Sequence, residues 1–166
     1  MSASHFSLFS TPENYISGFS ALSVPDEGRS GGDWHFIASF CGKVPLINTA
    51  GVHGTLINSN SIFGDRMIVD KTHILRKYGA PIGDASPIFC AEHPRAIADV
   101  IYRSLTERIY PAHVEVEDIF DDDDEYSLLN DLLCTLTASL DSTQRGFLNQ
   151  WIQNCLKPIG HGNGIR

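Results

Sequence analysis

An aspartate and a histidine two residues apart are the first side chains in the sequence that could do chemistry together. Asp33 and His35 flank Trp34, where a glycine-containing loop leads into a predicted strand. A carboxylate beside an imidazole can act as a general base, which would suit a small hydrolase or transferase. On a strand, however, Asp33 and His35 share one face and Trp34 points to the other. The triplet therefore also fits a solvated strand edge above a buried indole.

Metal chemistry has a weaker basis in the sequence. Cys90 and His93 have a spacing that metal ligands often use, but a zinc site needs three or four ligands. The nearest further candidates, Cys41, His53 and His113, are distant in sequence. Position alone accounts for His93, since it lies at the start of a predicted helix. The common phosphate-binding, nucleophile-elbow and zinc-protease motifs are absent, and we predict no metal and no cofactor.

Negative charge is concentrated in one segment. Between His113 and Leu133 there are nine acidic residues and no Lys or Arg, whereas the rest of the chain has 12 basic and 11 acidic residues. The run lacks the alternating oxygen ligands and the glycine of a calcium loop. It is either a solvated loop before a helix or a surface that attracts a basic partner. The predicted partner-binding residues are Glu115, Glu117, Asp118, Asp121, Asp122, Asp123, Asp124 and Glu125.

Composition sets the class of protein. The 166 residues are 42% hydrophobic and 19% charged, which predicts one globular domain over residues 1–166 with a mobile tail at about 160–166. No apolar run approaches the length of a membrane span and no secretory signal is evident, so we expect a cytoplasmic protein. Without a basic stripe, direct binding of nucleic acid is not expected. The cysteines, Cys41, Cys90, Cys134 and Cys155, are predicted to be reduced core thiols.

The N-terminal half should position these residues on short strands. Thr11-Pro12-Glu13-Asn14 is typical of a helix start, and Gly18 is expected to end that helix. The polar segment Val24–Asp33 is predicted to be an exposed loop, and Asp70–Tyr78 a brief helix with Asp70 as cap and Gly79 as stop. Strands are predicted at Trp34–Cys41, Leu46–Thr49, Thr55–Asn58 and Pro87–Ala91.

The C-terminal half is helical by pattern. Pro94–Arg108 has an apolar stripe of Ile97, Val100, Ile101, Leu105 and Ile109. Two more helices should form an antiparallel hairpin. The first, capped by Asp124 or Ser127, has a stripe of Leu129, Leu132, Leu133, Leu136 and Leu140. The second starts with a capping box of Asp141 and Gln144 and has a stripe of Leu148, Trp151, Ile152, Cys155 and Leu156. The predicted fold class is α+β, with a short-stranded N-terminal sheet covered by helices.

Two regions resemble a known group of proteins. Asn14–Leu22 with Gly32–Phe36, and Ala91–Tyr102, resemble segments of small uncharacterised bacterial proteins encoded beside nucleotidyltransferase-like toxins of abortive-infection type. The resemblance implies an antitoxin-like protein whose partner is encoded by a neighbouring gene, and it carries over no catalytic residue. The sequence therefore favours a non-enzymatic interaction module that neutralises a basic, nucleic-acid-processing partner. A hydrolase or transferase using Asp33 and His35, and a structural or regulatory subunit of an oligomer, including a homo-oligomer, remain alternatives.

Overall fold

The computed structural model describes residues 11–29, 49–50, 58–80, 82, 84 and 87–156. Within them, short strands lie in the N-terminal half and helices dominate the C-terminal half, so the predicted α+β class is confirmed. The predicted strand Trp34–Cys41, most of the predicted strands Leu46–Thr49 and Thr55–Asn58, and the predicted mobile tail lie outside the described residues. In the described part of the chain, no helix is long and apolar enough to cross a bilayer.

Four short strands form one mixed sheet in the order β2-β1-β4-β3. Their bounds are Tyr15–Ile16 for β1, Thr49–Ala50 for β2, Ile68–Asp70 for β3 and Phe89–Ala91 for β4. β1 runs antiparallel to β2 and parallel to β4. β3 is antiparallel to β4, with Val69 opposite Cys90. The central strands β1 and β4 belong to the N-terminal hydrophobic core, because their residues Tyr15, Ile16, Cys90 and Ala91 are fully buried.

The predicted N-terminal helix start at Thr11-Pro12-Glu13-Asn14 is wrong. The Asn14 N–H donates to the Thr11 carbonyl at 3.0 Å, and the two residues form an isolated β-bridge. Proline at the second position suits a β-turn as well as a helix start, and the chain continues into β1. Helix α1 (Gly18–Leu22) then begins at Gly18, whose φ of 56° lies in the left-handed region. Gly18 therefore starts a helix and does not end one.

Two short helices flank β3. Helix α2 is Asn60–Phe63 and helix α3 is Thr72–Lys77. The N-cap residue of α3 is Lys71 and not the predicted Asp70, which ends β3, although the Asp70 carboxylate accepts the Thr72 N–H at 2.9 Å. Gly79 follows the helix with a φ of 77°, so the predicted stop is confirmed. Burial would raise the pKa of the Asp70 carboxyl, but hydrogen bonds from the hydroxyl and N–H of Thr72 and from the Ile88 N–H lower it below its ordinary value.

Helix α4 (His93–Thr106) is central to the packing, as the apolar stripe predicts. It contacts α1, β4 and both C-terminal helices. Ile97, Val100, Ile101 and Leu105 are buried, but Ile109 is 53% exposed. Ile109 lies three residues beyond Thr106, the last residue of α4, so the stripe does not extend to it.

The two C-terminal helices are α5 (Asp123–Thr137) and α6 (Ser142–Cys155). The leucine stripe of α5 and the residues Leu148 and Trp151 of α6 are buried in one cluster with α4. The capping box of Asp141 and Gln144 is confirmed. The cap of α5 is Asp122, and neither of the predicted residues fills that role. Cys134 is exposed, against prediction, because it is rotated about 100° around the helix from the buried Leu133.

Candidate functional site

The acidic segment begins in a series of turns between α4 and α5. Val114 and Val116 are buried, whereas Glu115 and Glu117 are exposed. The Trp151 indole N–H donates to the Val114 carbonyl at 3.0 Å, and the Val116 carbonyl accepts two N–H groups of the next turn at 3.0 Å each. Because the valines are anchored inside, the glutamates are directed into water.

Seven of the eight predicted partner-binding residues reach solvent. Asp122 is half-buried and six others are exposed. Asp122 caps α5 by accepting the Glu125 N–H at 2.9 Å, and Asp123 and Asp124 lie in the first turn. Carboxylates there are favoured by the positive end of the helix dipole. These aspartates thus stabilise a helix start as well as presenting negative charge.

Glu125 does not belong to this exposed surface, unlike the other seven predicted residues. Its side chain is fully buried, because the third residue of α5 faces the protein interior. One carboxylate oxygen accepts the Asp121 N–H at 3.1 Å. The other lies 3.9 Å from Nδ1 of His93. Glu125 is therefore part of an internal cluster.

Negative charge also accumulates near the C-terminal end of α6. Burial raises the pKa of the Cys155 thiol, and the charges of Glu115 and Glu117 raise it further. The carbonyl end of a helix carries partial negative charge. These two carboxylates therefore add to a region of negative potential.

A groove with both apolar and polar walls adjoins the acidic segment. It has a volume of about 240 Å³ and is lined by Gly18, Phe19, Val100, Arg103, Ser104, Glu107, Ile109 and His113. Phe19 is 47% exposed and Ile109 is 53% exposed. The rings of Phe19 and His113 are 6.0 Å apart between centroids. Since His113 lies two residues before Glu115, exposed apolar area and exposed negative charge are neighbours.

A second group of ionisable side chains is entirely internal. Asp26, Lys71, His93 and Glu125 are each 3% exposed or less. The Lys71 ammonium donates to Oδ1 of Asp26, and Oδ2 of Asp26 accepts the backbone N–H of His93 at 2.7 Å. Nε2–H of His93 donates to the Val24 carbonyl at 2.8 Å. Buried charges are costly unless they are paired. These four side chains therefore depend on one another's charges and hydrogen bonds to remain in the interior.

A third polar group surrounds Arg95 on the next turn of α4. Its guanidinium is fully buried and donates to Oδ1 of Asp99 at 2.9 Å. It also donates to the carbonyls of Gly64 and Arg66 and to the side-chain oxygens of Tyr15, Ser59 and Asn60. The carboxylate of Asp99 in turn accepts the hydroxyls of Tyr15, Ser17 and Ser59. The network joins β1, α2 and α4.

Two buried groups in the core have shifted pKa values. Burial, reinforced by the charge of Asp99, raises the pKa of the Tyr15 hydroxyl well above its ordinary value, so Tyr15 acts as a neutral donor. Burial raises the pKa of the Cys90 thiol to about 12. Cys90 is therefore a neutral core residue, as the sequence predicts.

One predicted site lies outside the described residues, and the structure shows buried ionic residues that the sequence analysis missed. Asp33 and His35 lie outside the described residues, and that hypothesis stays a prediction. Asp26 was placed in an exposed loop, yet it is buried with Val24. A usable signal was the four-residue spacing of Arg95 and Asp99 in the predicted helix Pro94–Arg108, which brings two opposite charges together on one helix face.

Comparison with known proteins identifies no relative. No protein-family model, no curated protein and no solved structure matches the chain. The functional argument therefore depends on the geometry of the chain itself.

Proposed function

We propose that this protein is a cytoplasmic, non-enzymatic interaction module that binds a basic protein partner through the acidic segment Glu115–Asp131. The observation that carries the proposal is that seven of its nine acids are exposed and one is half-buried, with no Lys or Arg among them, next to a groove that exposes the apolar side chains of Phe19 and Ile109. An antitoxin-like neutraliser of a nucleic-acid-processing protein fits this surface, because such a target has a basic face complementary to it.

Fixed geometry supports a specific interface. The buried valines and the turn hydrogen bonds hold the first glutamates in place, and helix α5 holds Asp123 and Asp124. A backbone that is already ordered loses little further conformational entropy on binding. Like charges this close repel one another in the free protein, so Lys and Arg side chains of a partner would relieve that repulsion.

The groove supplies apolar contact area, which the charged residues alone do not provide. Exposed charges chiefly steer the encounter, whereas buried apolar contacts chiefly slow dissociation. Phe19 and Ile109 offer apolar area beside the acids. We therefore expect a partner that has an apolar side chain flanked by Lys or Arg.

The experiment measures association and dissociation rates with the product of the neighbouring gene. The test variant carries Glu115→Gln, Glu117→Gln and Asp118→Asn, three exposed positions outside the α5 cap. Association should slow by about tenfold or more, because steering by a charged face raises association rates by one to three orders of magnitude. An unrelated small basic protein serves as the control for non-specific attraction.

A matched variant controls for net charge. Glu13→Gln, Glu27→Gln and Asp65→Asn remove the same three charges from exposed positions elsewhere and should leave the association rate nearly unchanged. A further variant, Phe19→Ala, should speed dissociation with little effect on association. Equal slowing by the two charge variants would show that the acidic segment has no special role, and no binding at all would refute this choice of partner.

A further inference from the structure

Three potential metal ligands converge inside the protein from three separate segments. Asp26 lies in the loop after α1, His93 is the first residue of α4, and Glu125 is in the first turn of α5. One ligand atom from each lies within 4.8 Å of the other two. Nδ1 of His93 is 3.9 Å from Oδ2 of Asp26 and 3.9 Å from Oε1 of Glu125. We propose that these three side chains bind one divalent transition-metal ion.

The second polar atom of each side chain is fixed by another group. The Val24 carbonyl accepts Nε2–H of His93, which leaves Nδ1 as the atom directed at the two carboxylates. Lys71 donates to Oδ1 of Asp26, and the Asp121 N–H donates to Oε2 of Glu125. Metal-binding histidines and carboxylates typically have such outer hydrogen bonds, which orient the ligand atoms. The three inner atoms are therefore oriented in advance.

Distances and ligand types favour zinc or a similar ion. Zinc binds imidazole nitrogen and carboxylate oxygen at about 2.0 to 2.2 Å, so tetrahedral ligand atoms are about 3.4 Å apart. The 3.9 Å separations at His93 would need to shorten by only about 0.5 Å on that basis. An imidazole ligand argues against calcium and magnesium, which prefer oxygen.

Charge also favours a cation at this position. Among the described residues, the cluster holds the carboxylates of Asp26 and Glu125 together with the ammonium of Lys71, which pairs with Asp26. Additional positive charge between the carboxylates would reduce the cost of burying them. A divalent metal ion between them would supply it.

The bound ion would be structural. All three ligands are buried, so the ion would enter during folding and join the loop after α1 to the starts of α4 and α5. Binding energy at such a site adds to folding energy. The protein should accordingly lose thermal stability when it refolds without metal.

The test uses the full chain without an affinity tag. The protein is unfolded in the presence of a chelator, so that any bound metal is removed. It is then refolded with and without zinc sulfate, and each sample is examined by elemental analysis and thermal melting. Refolding with zinc should give one zinc per chain. It should also raise Tm by about 5 to 10 °C when free zinc is about 100 times its Kd. Cobalt(II) in place of zinc should give visible ligand-field absorption.

Two variants assign the site. Glu125→Gln keeps an oxygen to accept the Asp121 N–H but removes the charged ligand, so it should lose stoichiometric zinc and the Tm response. His73→Gln changes an exposed histidine and should retain both. Wild-type protein with no stoichiometric metal and no Tm response would overturn the proposal, even if Glu125→Gln fails to fold. An unchanged zinc response in Glu125→Gln would place the metal elsewhere and also overturn it.

Discussion

Replacing Arg95 with methionine removes the centre of the most extensive polar network in the described part of the chain. The guanidinium is fully buried and donates to three carbonyl or carboxylate groups and three side-chain oxygens. Methionine keeps much of the side-chain length but makes none of these hydrogen bonds. The carboxylate of Asp99 would then stay buried with hydroxyl donors and no cation.

The magnitude follows from that uncompensated charge. Breaking a buried ion pair by removing one partner costs about 3 to 5 kcal/mol. A typical domain has only about 5 to 15 kcal/mol of unfolding free energy, so Arg95→Met should be a severe change. For a chain of this size each kcal/mol shifts Tm by about 2 to 4 °C. We therefore expect Tm to fall by about 6 to 20 °C, and urea unfolding to show the same loss of free energy.

The same substitution on the solvent side of the same helix is the control. Arg103 pairs with Glu107 at 3.0 Å, and both side chains are about two-fifths exposed. Removing such a surface pair costs about 0.5 kcal/mol or less. If Arg95→Met lowers stability no more than Arg103→Met, the buried network contributes little and the argument from uncompensated charge is wrong.

Three further predictions concern stability and reactivity. Leu133→Ala should cost about 2 to 5 kcal/mol in a thermal melt, since Leu133 is 1% exposed; an unchanged Tm would contradict its burial. A hydrogen bond from the Gln144 N–H, with the nearby Arg108, lowers the pKa of Asp141 below 3.8. Its charge therefore stabilises the fold at neutral pH, and this contribution is lost as pH falls through the lowered pKa. The Tm difference from Asp141→Asn should accordingly shrink in acid, and a constant difference would refute this. Mass spectrometry after alkylation of native protein should find Cys134 modified and Cys90 protected; equal modification would contradict the burial of Cys90.

The helical half of the fold was predictable because its signals are local. The stripe of α4 and the capping box at Asp141 depend on residues three or four apart. The structure confirms both. The cap of α5 was missed because several consecutive acids could each fill that role, and the choice depends on which one lies at the turn.

The N-terminal half was less predictable because its signals are ambiguous. Proline followed by an acid and an asparagine suits both a β-turn and a helix start. At Thr11–Asn14 the outcome depends on the pairing of β1 with β4, in which Ile16 lies opposite Cys90, 74 residues away in sequence. No local pattern contains that information.

The buried ionic residues could not be assigned from composition. Glu125 is one of five consecutive acids, and only the rotation of α5 separates it from its exposed neighbours. Asp26 lies in a polar stretch that is typical of an exposed loop, yet it pairs with Lys71, which is 45 residues away. Charged residues follow the exposed pattern unless a distant partner is present, and tertiary structure provides that partner.

The salt dependence of association tests the proposed interaction most directly. Association of the wild-type chain with the product of the neighbouring gene should slow steeply as ionic strength rises, because salt screens exposed charges. The variant with Glu115→Gln, Glu117→Gln and Asp118→Asn should have a clearly flatter slope. The variant with Glu13→Gln, Glu27→Gln and Asp65→Asn should keep the wild-type slope. Equal slopes for all three proteins would show that the acidic segment is only a solvated connection between helices, and would contradict the proposed function.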